Sequence, residues 1–225
     1  VVSGGIAGRA MASSVSNCQV RGLIYAWGGT GGAGGEAGVP SRGAGKTGGT
    51  GGAGGNGYAG GIVGISDGTN ITDCSFVGSV YAWGGAGGNG GHGSNAKSAG
   101  VGGQGGVGGK GGDAKCGGIT SLLYNNPDNP DSTEAGTISG CYTNAYIRVG
   151  ASNGGFGGTG RSAYSTYRGG HGGKGGTRGN VYGGGIVGDT RGTVTDCFAI
   201  GEMEVRGSVK GTPGNGGYGS NSSGS

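Results

Sequence analysis

The chain has 225 residues, and 71 of them are Gly, close to one in three against about 7% in average usage. Collagen shares that fraction but needs strict Gly-X-Y with abundant Pro; with only 4 Pro present, a triple helix is excluded. Charged residues make up 12% with a net charge of +4, which excludes a polyelectrolyte and gives no footprint for nucleic acid. No apolar run approaches the ~18 residues of a membrane-spanning helix.

A flexible linker is the bland reading of such a composition, and an internal repeat argues against it. Gly4-Gly5-Ile6, Gly60-Gly61-Ile62, Gly117-Gly118-Ile119 and Gly184-Gly185-Ile186 open four copies of one pattern, each reaching a cysteine at Cys18, Cys74, Cys141 and Cys197. The Ile-to-Cys gaps are 12, 12, 22 and 11, so the third copy carries an insertion, the turn-rich stretch 125–134. Three residues before the cysteine stand Val15, Ile71, Ile138 and Val194; six after it stand Ile24, Val80, Ile147 and Met203; eight after it stand Ala26, Ala82, Val149 and Val205. The positions between these columns vary freely. Period-two alternation with one constant apolar face marks a strand stacked on its own copies. The expected fold is therefore all-β, a short solenoid of four rungs in one repeat domain, 1–225, with essentially no α-helix. Its core ladder is the Val15, Cys18 and Ile24 columns.

In chain order, the first rung, 4–27, ends in Tyr25-Ala26-Trp27 and runs into a Gly-rich arm, 28–57. The second, 60–83, ends in Tyr81-Ala82-Trp83 and runs into the arm 84–113. The third, 117–149, is preceded by Cys116, whose equivalents are Ser3, Ala59 and Gly183, and is followed by the arm 150–180. The fourth, 184–206, is followed by 207–225. Within each rung a small residue, Gly22, Gly78, Ala145 or Gly201, predicts a bend between two short strands. The first two arms hold 16 Gly in 30 residues each, mostly as GGX, a phase that suits a left-handed three-residue helix of polyglycine II type, rising ~3.1 Å per residue. Non-Gly patches interrupt each arm midway and read as tips, giving three outgoing and three returning helices beside the solenoid. Pro40 and Arg42, Asn95 and Lys97, and Tyr164 and Tyr167 stand at those tips as candidate partner-binding residues.

The wording GGIVG…ITDCSFVGSV and GGIVG…VTDCFAIGEMEV resembles the GLUG repeat of bacterial surface and secreted proteins. That resemblance implies an exported, surface-associated β-solenoid and carries no catalytic residues with it. The arms resemble, in packing style, the polyglycine bundles of certain phage tail-tip adhesins and springtail antifreeze proteins.

The chemical inventory is thin. His92 and His171 occupy separate arms, and neither CxxC nor a Cys/His zinc spacing is present. No cofactor, metal or catalytic site is expected. The four aligned cysteines read as a buried thiol ladder, with a disulfide between neighbouring rungs as the alternative; Cys116 is the odd one. Tyr25, Trp27, Tyr81 and Trp83 read as a seam covering the first turns of the arms, or as a platform for sugars. Three functions stay open: an extracellular structural protein whose copies stack head to tail through uncapped rung edges, an adhesin binding a cell-surface or host glycan or protein through the arm tips, and an ice-binding protein. The first is preferred, with the chain itself as partner and the cell surface or exterior as location.

Overall fold

The computed structural model describes residues 1–97, 100–124, 136–163 and 167–215. The repeat makes four rungs of four strands. The first rung is β1 (Val2–Gly4), β2 (Ala7–Met11), β3 (Ser14–Ser16) and β4 (Gln19–Trp27); the second is β5 (Gly57–Gly60), β6 (Val63–Asp67), β7 (Asn70–Thr72) and β8 (Ser75–Trp83). The third is β9 (Ala114–Gly117), β10 (Thr120–Tyr124), β11 (Thr137–Ser139) and β12 (Tyr142–Gly150); the fourth is β13 (Val181–Gly184), β14 (Val187–Thr190), β15 (Thr193–Thr195) and β16 (Phe198–Arg206). Equivalent strands pair in parallel into four four-stranded sheets, and no helix occurs among the described residues.

Register keeps like on like: Val15 faces Ile71, which faces Ile138, which faces Val194. The insertion leaves this intact, because Tyr124 still pairs with Asp67 before it and Ile138 with Ile71 after it. The stretch 125–134 itself lies outside the described residues. Each rung begins two or three residues earlier than the GGI motif indicates, since the residues before it pair as β1, β5, β9 and β13. The expected bend is also corrected. Each fourth strand runs unbroken for nine residues through Gly22, Gly78, Ala145 and Gly201, because the ladder bonds continue across that column. A real corner lies one residue before each cysteine, where Asn17, Asp73, Gly140 and Asp196 adopt φ of 54°, 51°, 61° and 50°. Asn, Asp and Gly are the residues that tolerate this left-handed conformation.

The paired glycines of GGI are fixed by sterics. A Cβ on Gly60 or Gly117 would lie 2.0 or 1.9 Å from the carbonyl oxygen of Val63 or Thr120. A Cβ on Gly61 would lie 2.4 Å from the Phe76 ring, and one on Gly118 would lie 2.8 Å from the Thr143 methyl. Removing these side chains lets the column Val20, Phe76, Thr143, Ala199 fill the interior, a core column that the cysteine alignment misses because its residues vary in size and polarity. Phe76, Ile62, Ile71, Ile119, Ile138, Val80 and Val149 are fully buried.

The arms form two layers against the solenoid. Outgoing arms occupy 28–38, 84–94, 151–161 and 207–215; returning arms occupy 44–56, 100–113 and 168–180. Residues 207–215 belong to the seventh arm, 207–225, that the sequence indicates after the fourth rung. Bonds recur every third residue. The first glycine of each GGX donates to the equivalent arm of the next rung, as in Gly28 to Trp83 O, Gly31 to Ala86 O and Gly34 to Asn89 O at 2.7–2.8 Å. The second donates to an antiparallel arm, as in Gly85, Gly88 and Gly91 to the carbonyls of Gly55, Gly52 and Gly49, each 2.8 Å. The X amide points away from both, and side chains of preceding arms cap several: Asn89 Oδ1 accepts from Phe156 N at 3.0 Å, and Asn153 Oδ1 from Val209 N at 2.9 Å.

Two expectations test this packing. Ile71→Asp, which strands a charge in the core, is expected to cost at least about 3 kcal/mol and abolish a cooperative melt under physiological buffer, whereas Ser79→Asp on the outward face stays near wild type. Gly88→Ala, whose Cβ would meet Gly32 O at 2.0 Å, is expected to lose about 2–3 kcal/mol, while Gly32→Ala, whose Cβ meets nothing within 4 Å, changes the monomer little. Equal melting temperatures within either pair would contradict the register.

Candidate functional site

The twelve residues of the expected core ladder separate by rung. Ile71, Ile138, Cys74, Cys141, Val80 and Ile147 are buried in the two middle rungs, while Val15, Cys18, Ile24 and Cys197 are half-buried. Val194 and Met203 are 38% and 45% exposed. The expectation of a dry ladder through all four rungs is therefore corrected, because an outer rung has a neighbour on one side only. Exposed apolar residues occur on the arms and their tips, at Val39, Val101, Val107, Phe156, Tyr167 and Val209, and in two sets on the outer rungs. Ile6, Met11, Leu23, Tyr25 and Trp27 lie on the first rung, and Val194, Phe198, Ile200, Met203 and Val205 on the fourth. With their open sheet edges these two rung faces form the most extensive candidate interaction surfaces of the molecule.

All five cysteines are free thiols, so the disulfide alternative does not describe this structure. Each ladder thiol donates to the carbonyl two residues before it, Cys74 to Thr72 O at 3.2 Å and Cys141 to Ser139 O at 3.3 Å, locking the corner that the left-handed residue begins. Cys116 is wholly buried and donates to Val80 O at 3.4 Å. It fills the column that Ala59 fills one rung earlier, so the odd cysteine is a small core residue. Burial pushes the thiols of Cys74 and Cys116 up, and that of Cys141 up to about 12.

The aromatic residues form a ladder on the outward face of the fourth strands. Tyr25 stacks on Tyr81 with centroids 4.8 Å apart, and Trp27 on Trp83 at 5.8 Å. Trp83 lies against Gly150, its ladder partner at the end of β12, where an added Cβ would come within 2.9 Å of its indole nitrogen, and Arg148 sits over its ring at 5.3 Å. Trp27, by contrast, is 67% exposed. Trp83 is thus flanked by the third rung, whereas Trp27 has no rung on its other side. Further along the sheet the ladder turns polar: Glu204 accepts from Arg206 and from Tyr146 Oη at 2.9 Å, and pairs in charge with Arg148, whose Nε lies 2.8 Å from its carboxylate. The Arg206 bond, followed by that from Tyr146, lowers the Glu204 carboxyl below its ordinary range.

At the tips, Arg42, Asn95, Lys97 and Tyr167 are exposed and Pro40 is buried; Tyr164 lies outside the described residues. Gly43 and Lys97 exchange backbone bonds, which holds the first two tips together. His92 Nδ1 accepts the Thr159 amide at 3.1 Å, an arm-to-arm cap, and His171 stands exposed on a returning arm. Among the described residues no group of three or more His, Cys, Asp or Glu is placed to hold a metal ion, and no helix is long and apolar enough to cross a membrane.

Residues 55–81 match the GLUG motif. The match covers β5 to β7 and most of β8, so the motif is one rung. No curated protein matches the chain. Among solved structures, the nine polyproline type II helical bundle springtail antifreeze protein from Granisotoma rainieri is similar at 24% identity, over 85% of this chain and 94% of that one, with a TM-score of 0.19.

The buried thiols set a pH dependence. They stay protonated in the fold while those of the unfolded chain ionise near pH 8.5, so the stability they confer is complete below that pH. It is lost as pH rises from there toward about 12 for Cys141. Melting temperature is expected to fall across this alkaline range, and Cys116→Ala, which copies Ala59, should flatten the fall. An unchanged slope in that variant would contradict the role given to Cys116.

Proposed function

We propose that this chain is a non-enzymatic structural element of the cell exterior that works by self-association through its rung faces. The observation that carries the reading is the pair of outer rungs, in which Val15 and Ile24 on one side and Val194, Met203 and Val205 on the other continue the buried columns of the middle rungs yet stay partly exposed. Open parallel edges recruit further strands, and the rungs already pair within the chain by register alone. The match to the GLUG motif supports a repeat built for stacking. We further infer polyglycine II geometry for the arms, supported by the three-residue period of their bonds. That geometry makes the arms a stiff flank to the solenoid. The function is then mechanical: two faces that join and a rigid body between them.

The reading is tested by sedimentation velocity over a wide concentration range, at low salt and at ~1 M salt where surface charges are screened. Association that grows with concentration and survives high salt is expected, because the faces are apolar. A chain that stays monomeric throughout, or that dissociates in salt, would contradict it.

A further inference from the structure

Charge is segregated between the arms and the rungs. The Gly-rich segments 28–57, 84–113, 150–180 and 207–225 carry nine Lys or Arg against two acids, Glu36 and Asp113, while the rest of the chain carries six against nine acids. Asp113 is paired with Lys110 at the arm root, 3.1 Å away. Five of the cations, Arg42, Lys46, Lys97, Arg161 and Arg168, stand at the far ends of the arms. All five are exposed, and none has an ion-pair partner among the described residues.

Backbone bonds gather these cations. Gly43, next to Arg42, exchanges bonds with Lys97. Lys46 O accepts from Ser94 N at 2.9 Å, Ser94 O from Gly103 N at 2.9 Å, and Gly103 O from Arg161 N at 3.0 Å. Gly102 N donates to Arg168 O at 3.0 Å. The lattice thus holds like charges at one end of the bundle, which costs mutual repulsion. Neutral polar side chains stand among them: Ser41, Asn95 and Ser162 are exposed and make no side-chain hydrogen bond within the described residues. Closer to the rungs the same chemistry is used up, since Asn56, Asn89 and Asn153 each cap an amide of the next arm. Tyr167, beside Arg168, is 43% exposed.

We propose that the arm tips bind an acidic polysaccharide, a hydroxyl-rich chain bearing carboxylate or sulfate groups. Such a chain suits both kinds of group at the tips. The guanidinium groups of Arg42, Arg161 and Arg168 fork onto carboxylate or sulfate oxygens, and the ammonium groups of Lys46 and Lys97 add charge to the same surface. Ser41, Asn95 and Ser162 have hydrogen bonds to exchange with sugar hydroxyls, and the Tyr167 ring offers a face on which a sugar can stack. The cations stand eleven or more residues along the chain from the nearest strand, so the surface leaves the rung faces free. The proposal is therefore independent of self-association.

The test is equilibrium binding of the full chain to polygalacturonate and to dextran sulfate, with neutral dextran, duplex DNA and phosphatidylserine-containing vesicles as comparisons. Two variants carry the same change in net charge: Arg161→Gln with Arg168→Gln at the tips, and Arg21→Gln with Arg191→Gln on the rungs. All four side chains are exposed, and thermal melts confirm that each variant folds. Binding to at least one of the two acidic polysaccharides and none to dextran is expected. The tip variant weakens that binding by roughly fivefold or more, and the rung variant stays within about twofold of wild type. Equal losses in the two variants would trace binding to net charge alone and overturn the assignment to the tips. No binding to either acidic polysaccharide, or tighter binding to DNA or vesicles than to both, overturns the proposed ligand. Sedimentation of the same variants reports self-association separately, so either reading can fail while the other stands.

Discussion

Everything in this molecule depends on the register of one rung on the next. The same offset that sets Tyr25 on Tyr81 and Ala26 on Ala82 also sets Gly31 on Gly87 in the arms, where the Gly31 amide donates to Ala86 O. A one-residue slip would turn every apolar column outward and would also drive non-Gly residues into sites where a Cβ lies ~2 Å from a carbonyl. Solenoid and bundle therefore check each other. The glycine content follows from this: ordering Gly costs at the upper end of about 1–2 kcal/mol per residue, and a backbone hydrogen bond returns about 1 kcal/mol net. Isolated arms have no reason to order. Arms anchored at both ends by a registered solenoid do, because the anchoring brings them to bonding distance together.

Much of the architecture was legible in the sequence, because a repeat turns residue identity into geometry. The Val15 and Ile24 columns identified the strands, and GGX phasing identified the arms. Two things were not legible. The columns Val20, Phe76, Thr143, Ala199 and Ser3, Ala59, Cys116, Gly183 are buried in the two middle rungs yet mix large with small and polar with apolar, so no constant residue type marks them. The Asn17, Asp73, Gly140, Asp196 column did carry a signal, since these are the residues suited to a left-handed corner. Asp73 and Asp196 read as turn residues from the sequence, but the column they share with Asn17 and Gly140, and its left-handed backbone, did not.

The candidate site was legible only in part. The aromatic residues at the rung ends read as a seam or a sugar platform, and the sequence did not show that they stack on one another or separate Trp83, which the third rung flanks, from Trp27, which is exposed. Exposure there depends on the number of neighbouring rungs, which is a property of position in the stack.

The central claim is that arms and solenoid form one cooperative lattice, and amide hydrogen exchange tests it most directly. Gly85, Gly88, Gly91, Gly155 and Gly158 donate within the bundle, so they should exchange only through global unfolding, at the same slow rate as the ladder amides of β8 and β12. Rapid exchange at these glycines while β8 and β12 remain protected would contradict the claim, leaving an ordered solenoid with independent arms.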